Sequence, residues 1–354
     1  MRISHSASDL GQAECDAATA VLAANHVGYG PAARQLETAL GDRTNRRHAF
    51  AVLSGSHALA LAISALDLEP GSRIALPVLT CMSVRNAILN AGHEPVLVDI
   101  RDADLALDVD AIPRDVAAIV APHAYGAAVN VAALAARGIP WVEDCATSPA
   151  TFALGRPAGS HGTLAVFSFG ATKYLTGGAG GMLLTNDNAI AERVRGMLTE
   201  APRGPAFRHE PRGSQSGRMA DLNAAVALVQ LSRLDSLRER RQSIASRYLA
   251  ALPHLTTLPL DENHAYYRVI VRVDGNAHRL AERLRAAGID ARSSVNPWLD
   301  ESYGAPRGTF PIANRWRDHL LSLPVHPRLG DDDVDAVLAA LAVEALVAHS
   351  TQAR

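Results

Sequence analysis

The chain has 354 residues, a formal net charge of −2 and three cysteines, Cys15, Cys81 and Cys145. Such a charge gives no electrostatic reason to bind nucleic acid or an anionic membrane. The cysteines are too few and too scattered for a disulfide framework or a zinc site, which fits a reducing, cytoplasmic setting.

With 48% apolar and 20% charged residues, the composition is that of a soluble globular protein with room for two domains. No apolar signal core follows Met1, and no apolar run approaches the length of a membrane span. The N-terminal stretch predicts helices, one over Ala17–Ala24 and another from Pro31 to about Leu40. Pro31 follows the turn Gly28-Tyr29-Gly30 and suits a first helical position. Strands and helices then alternate. Strands are expected at Ala49–Leu53, Arg73–Pro77, Pro95–Val98, Ala117–Ala121, Ile139–Val142, Thr163–Phe169 and Gly181–Thr185. Helices are expected at Ser56–Leu66, Ser83–Asn90 and Val131–Ala136. Continuous apolar strands separated by helices predict a mostly parallel sheet covered on both faces.

Ala201–Ser216, rich in Pro, Gly, Arg and Ser, reads as a long loop. Met219–Leu252 reads as two helices with a bend near Leu234-Asp235. A strand at Ala265–Val273, a helix at Ala277–Ala287, a short strand at Ile289–Arg292 and a final helix at Asp331–Ala348 complete the pattern. This divides the chain into a large α/β domain, 1–235, and a smaller α+β domain, 236–354.

Of the 34 basic residues 33 are arginine, and the single lysine is Lys173. Arginine supplies charge but never a neutral amine, whereas lysine shifts its pKa when buried and forms Schiff bases. Three features gather around this reading. Ser54-Gly55-Ser56-His57 lies between a strand and a helix, where free amides and the helix dipole make an anion site, although Ser54 or Ser56 also reads as a simple cap. Trp141-Val142-Glu143-Asp144 is a strand ending in two carboxylates, at the edge where open α/β sheets bind ligands. Phe167-Ser168-Phe169 leads into Thr172-Lys173 and the glycine-rich Gly177–Gly181, which lets backbone approach a ligand. An anion cradle, an acid for a pyridinium and an isolated amine together match the needs of pyridoxal 5′-phosphate (PLP).

In this setting the chain resembles the DegT/StrS-type PLP-dependent sugar aminotransferases, of the aspartate aminotransferase fold (fold type I). The resemblance rests on Gly30-Pro31 with Glu37, Ser54-Gly55-Ser56, Ala75-Leu76-Pro77, Pro95–Asp99, Pro122–Gly126, Glu143-Asp144, Phe167–Phe169, Thr172-Lys173, Gly180-Gly181, Arg218-Met219 and Leu321–Pro327. It implies that Lys173 is the Schiff-base lysine and proton carrier and that Asp144 pairs with the pyridinium. Ser54, Gly55, Ser56, His57 and Ser168 would hold the phosphate, and active sites would lie at a homodimer interface. Cys81, Thr147 and Ser216 stand at cofactor-side positions where the family commonly has an aromatic residue, Gln or His, and Asn; Ala179 stands where it has Glu. Tyr29, His123, Arg218, Tyr266, Arg292 and His326 are candidates to face the substrate, with Tyr29, His123, Arg218 and His326 preferred.

The expected reaction moves an amino group from an amino acid, glutamate or glutamine, to a keto sugar or related keto compound. The alternative is another PLP reaction, an elimination or lyase step on a small metabolite. A non-catalytic regulator with this fold would be expected to lose Lys173 or Asp144 or to gain a DNA-binding region.

Overall fold

A glutamate and an aspartate set the start of the chain. The computed structural model describes residues 3–198, 216–253, 255–257, 261–293, 298–304, 306 and 308–352. Apart from Ser216, the loop expected over 201–216 lies outside them. Helix α1 (Gln12–Ala23) starts before its alanine run because Glu14 Oε2 accepts the Gly11 N–H at 2.8 Å. Helix α2 (Pro31–Thr44) has Pro31 in its first turn and ends on Asn45 in the left-handed region. Its free amides are capped from far along the chain: the Asp221 carboxylate accepts the N–H groups of Gly30, Ala32 and Ala33 at 2.8–3.1 Å.

The alternating region forms β1 (His48–Val52), α3 (Gly55–Ala65), β2 (Arg73–Pro77), α4 (Met82–Asn90), β3 (Glu94–Val98), β4 (Ala118–Pro122), α5 (Val131–Ala136) and β5 (Trp141–Asp144). A two-strand flap, β6 (Phe152–Ala153) and β7 (Arg156–Pro157), precedes β8 (Leu164–Ser168) and β9 (Gly181–Thr185). The seven-stranded sheet has the order β1-β9-β8-β5-β4-β2-β3 and is parallel except for β9, which runs against both neighbours. Side chains on successive residues divide between its faces. Val166 and Leu183 pack with α3, α4 and α6 (Asn188–Leu198), whereas Ala165, Phe167, Met182 and Leu184 pack with α2 and α7 (Asp221–Ser232). Helix α6 is not among the expected helices, although Ile190, Ala191, Val194, Met197 and Leu198 recur at helical spacing.

Helix α8 (Leu234–Ala251) spans two cores. Leu234 and Leu237 join the α2–α7 cluster, while Ile244, Ala245 and Tyr248 join the cluster under the second sheet. That sheet is antiparallel, β10 (Thr256–Thr257), β11 (Val269–Arg272) and β12 (Leu320–Leu323), in sequential order. Helices α9 (Ala277–Ala286) and α12 (Asp331–Gln352) pack with it, and α10 (Leu299–Tyr303) and α11 (Pro311–Arg317) lie between them in the chain. Strand β11 is shorter than expected because Tyr266 has φ +47° and residues 265–268 bond to the turn at Tyr125-Gly126. The strand expected at Ile289–Arg292 makes only isolated bridges, Ile289 with Ile3 and Arg292 with Ser322. Helices α10 and α11 return to the large sheet. Leu299 N–H donates to Val78 O, and Asp99 accepts the amides of Ile312 and Ala313.

Candidate active site

Strands β1, β2, β4, β5 and β8 all run the same way, so their carboxyl ends meet along one edge. A cavity of about 240 Å³ opens there, lined by Ser56, Cys81, Asp144, Thr147, Ser168 and Lys173 among others. The structure therefore brings the sole lysine, the strand-end aspartate and the α3 turn into one space.

Period-two alternation sends the paired carboxylates of β5 opposite ways. Asp144 reaches the cavity, and one of its oxygens accepts the Ala146 N–H at 2.9 Å. Burial pushes its pKa up; the Ala146 amide and the Lys173 charge pull it back. Glu143 turns inward and is fully buried. Its Oε1 accepts Gly159 N–H at 2.8 Å and His123 Nε2–H at 3.0 Å, and its Oε2 accepts His161 and Gly162 N–H at 2.8 and 2.9 Å. Burial alone would raise this carboxyl, but the His123 and amide hydrogen bonds outweigh it and hold the pKa down to about 2. With four donors on its two oxygens, the His123–Glu143–Cys145 grouping is a hydrogen-bonded anchor and offers a cation no free carboxylate.

His123 changes its expected part. Val129 N–H donates to its Nδ1 at 3.1 Å, so the ring is neutral with its proton on Nε2, directed at Glu143. Both ring nitrogens are bonded within the fold, which leaves neither for a substrate carbonyl.

At the α3 turn, Ser54 is the helix cap, its Oγ accepting His57 N–H at 3.1 Å. His57 is not on the cavity wall; its Nε2 is buried against Gly217. Gly55 and Ser56 face the cavity, and a side chain at Gly55 would lie 2.6 Å from Ser168 Cβ, so glycine there lets the turn and the Ser168 hydroxyl come together. Cys81 immediately precedes α4 at the cavity rim, with no capping bond from its side chain, and Thr147 Oγ1 donates to His123 O. Ser216 is exposed and off the wall.

The other expected substrate residues lie elsewhere. Tyr29 donates its hydroxyl to Glu37 Oε2 at 2.9 Å, and the Arg218 guanidinium sits 4.6 Å over its ring. His326 Nε2 meets Ser4 O at 3.1 Å, and burial lowers its pKa to about 4. Tyr266 accepts Asp261 N–H, and Arg292 pairs with Asp290. None of these five lines the cavity, whereas Thr80, Ser83, Tyr125 and Tyr267 do. Tyr125 sits at φ +53° with a buried hydroxyl that has no partner among the described residues. A residue 94 positions beyond Lys173, such as Tyr267, gives no local hint of the site it reaches.

A family model of the DegT/DnrJ/EryC1/StrS aminotransferase family matches residues 8–342. The chain belongs to that family. It is 31% identical over 369 residues to the spore coat polysaccharide biosynthesis protein SpsC of Bacillus subtilis (strain 168), covering 94% of each. The aminotransferase TlmJ from Streptoalloteichus hindustanus superposes with a TM-score of 0.89 at 30% identity, over 98% of this chain and 100% of that one. Spr1654 from Streptococcus pneumoniae in its PLP-form matches with a TM-score of 0.88 over 96% and 97% of the chains; at 23% identity it speaks for the fold alone. The protein is accordingly a PLP-dependent aminotransferase of fold type I. The residues present fit PLP. A buried carboxylate whose pKa is raised by desolvation suits a cationic ring nitrogen, and the amine, the hydroxyls and the open helix turn line the same cavity.

Proposed function

We propose that this aminotransferase takes an amino group from glutamate or glutamine and delivers it to a keto sugar or related keto compound. The observation that carries the reading is the convergence of Lys173 and Asp144 on one cavity at the carboxyl edge of the sheet. The sugar acceptor is supported by the similarity to SpsC, named for polysaccharide biosynthesis.

When bound, PLP supplies an electron-accepting ring that stabilises negative charge at the substrate carbon. Lys173 Nζ holds the cofactor and carries the proton at the substrate's amino-bearing carbon. Asp144 balances a protonated ring nitrogen in a site too buried for water to do so. The α3 turn at Gly55-Ser56 and the Ser168 hydroxyl receive the phosphate, while Ser54 organises that turn by capping it. Thr147 lines the wall next to the His123–Glu143 anchor, which fixes the end of β5 on which Asp144 sits. On the substrate side, Thr80, Ser83 and Tyr125 take the place of His123.

The proposal treats 1–235 as the cofactor domain and 236–354 as the smaller domain, with α10 and α11 folded back onto the first. It includes a homodimer, supported by the exposed apolar Leu10, Leu22, Val27 and Leu53. It also includes a cytoplasmic setting, supported by three free thiols. Among the described residues no helix is long and apolar enough to cross a membrane.

Borohydride reduction of the PLP-loaded protein, followed by peptide mass spectrometry, tests the core of this reading. The cofactor mass is expected on the peptide holding Lys173. An adduct elsewhere, or none, refutes it. Loss of the visible band on adding glutamate or glutamine, and its return with a keto sugar, tests the substrates; a band indifferent to every amino acid refutes them.

A further inference from the structure

Lys173 lies in the connection between β8 and β9, and that connection is tied down from outside on both sides of the lysine. The preceding carbonyl, Thr172 O, accepts the Tyr267 hydroxyl at 3.2 Å. The following side chain, Tyr174, donates its hydroxyl to Ala265 O at 3.1 Å. One residue earlier, Ala171 O accepts the hydroxyl of Ser8. Each tyrosine ring lies under a buried arginine. The Arg268 guanidinium is 4.0 Å from the Tyr267 centroid and that of Arg241 is 4.4 Å from the Tyr174 centroid. The arginines are fixed in turn, Arg241 donating to Val325 O at 2.7 Å and Arg268 to Tyr267 O at 2.9 Å and Ser6 Oγ at 2.8 Å. Neither tyrosine has a part in the chemistry derived above, yet Tyr267 also lines the cavity.

A lysine side chain has four rotatable bonds and the rotamer freedom that goes with them. Its amine can be aimed only if the backbone beneath it is held. The connection is poorly equipped to hold itself, with Gly178 at φ +77° and Gly180 at φ +130°. Both hydrogen bonds join the connection to the segment 265–268, Tyr267 reaching out from it and Tyr174 reaching in to Ala265 O, and that segment is itself bonded through Ala265 N and Arg268 N to the carbonyls of Gly126 and Tyr125, just past the end of β4. The clamp therefore references the lysine to the cavity wall that Tyr125 forms.

We propose that Tyr267 is a positioning residue for Lys173. By holding the Thr172 carbonyl it sets the direction in which the lysine side chain leaves the backbone and presents Nζ to the cavity beside Asp144; Tyr174 is the second jaw. This rests on the reading of Lys173 as the reactive amine.

Tyr267→Phe keeps the ring under Arg268 and removes only the hydroxyl. The full-length protein, with PLP removed, is treated with limiting acetic anhydride, and acetylation at Lys173 relative to the α-amine is read by mass spectrometry. Only these two kinds of amine exist in the chain. The ratio is expected to rise about fivefold, the factor equivalent to one ordinary hydrogen bond, as Nζ leaves the cavity for solvent. Tyr174→Phe should move it the same way, and provides the reading if Tyr267→Phe does not fold. An unchanged ratio in the folded variants, even with a lower thermal midpoint, overturns the proposal, because the tyrosines would then be structural only. Wild-type protein reloaded with PLP is the separate control. If Lys173 is not protected there, the assignment of Lys173 itself fails, and this inference with it.

Discussion

Glu143→Gln is the substitution for which structure and sequence lead to different expectations. From strand alternation alone, Glu143 points away from the cofactor and its loss should be mild. The structure makes it a buried anchor whose two oxygens take four hydrogen bonds. Glutamine has one oxygen and one NH2 group, so in either orientation two buried donors face a third. His123 cannot relieve this by changing tautomer, because its Nδ1 already accepts Val129 N–H. At roughly 1–3 kcal/mol per buried donor left unpaired, the cost is about 2–6 kcal/mol. The pH route gives a similar size. A carboxyl that titrates at 4.5 when unfolded and about 2 when folded contributes about 3 kcal/mol at neutral pH. With an unfolding entropy of about 2.1 cal/mol/K per residue, that lowers the thermal midpoint by roughly 4 °C. Because the folded pKa is the lower one, the contribution is complete above about 4.5 and lost as pH falls toward 2. Calorimetry at several pH values should therefore show wild type ahead of the variant at pH 7 and the gap narrowing below pH 4.5. Equal midpoints at pH 7, or a gap that does not change with acid, would refute the anchor role.

Lys173→Arg should abolish turnover while leaving the circular dichroism spectrum unchanged, since a guanidinium stays protonated; more than trace transamination argues against the assignment. Asp144→Asn should lower kcat by roughly 10²–10³, as expected for loss of an electrostatic partner at the reacting group, with the protein still folded; a loss under tenfold would mean that Asp144 does not serve the ring nitrogen. Cys81→Phe places a ring at the cavity rim and should tighten PLP binding by about 2–10-fold, from a stacking gain of roughly 0.5–1.5 kcal/mol. A PLP titration that shows no change, together with unchanged turnover, would remove Cys81 from the cofactor face. Asp221→Ala strips the cap from α2 and should cost about 1–2 kcal/mol in urea denaturation; a midpoint within error of wild type would show the three amides re-satisfied by water.

Much of this architecture was legible in the residues because its signals are local. The strands that form the large sheet are short apolar runs, and β2 and β9 begin and end where the pattern places them. Lys173 stood out by composition and Asp144 by its place at a strand end. What escaped were relations between distant residues. Glu143 looks like a second strand-end acid until Gly159, His161, Gly162 and His123 close round it. His123, Tyr29, Arg218 and His326 are polar residues in suggestive company, and their atoms are nonetheless committed to Glu143, Glu37, the Tyr29 ring and Ser4. The strand expected over Ala265–Val273 loses its first half to a positive φ at Tyr266, which no alternation pattern reveals. Helix α6 is the exception, since its signal is local: Ile190, Ala191, Val194, Met197 and Leu198 repeat at helical spacing.

The strand order also shapes how the molecule is made. β1 lies at the sheet edge and its neighbour is β9, which ends at Thr185. During synthesis at roughly 5–20 residues per second, β1 and the apolar α3 behind it emerge on the order of ten seconds before the strand that covers them. The early half of the chain therefore spends that interval with an unpaired, apolar edge, a state in which self-association competes with folding. The Ser54–Gly180 bridge closes only at the end of this wait, so the turn that begins α3 is finished late. Acquisition of PLP during synthesis should mark completion of the sheet rather than assist its first steps.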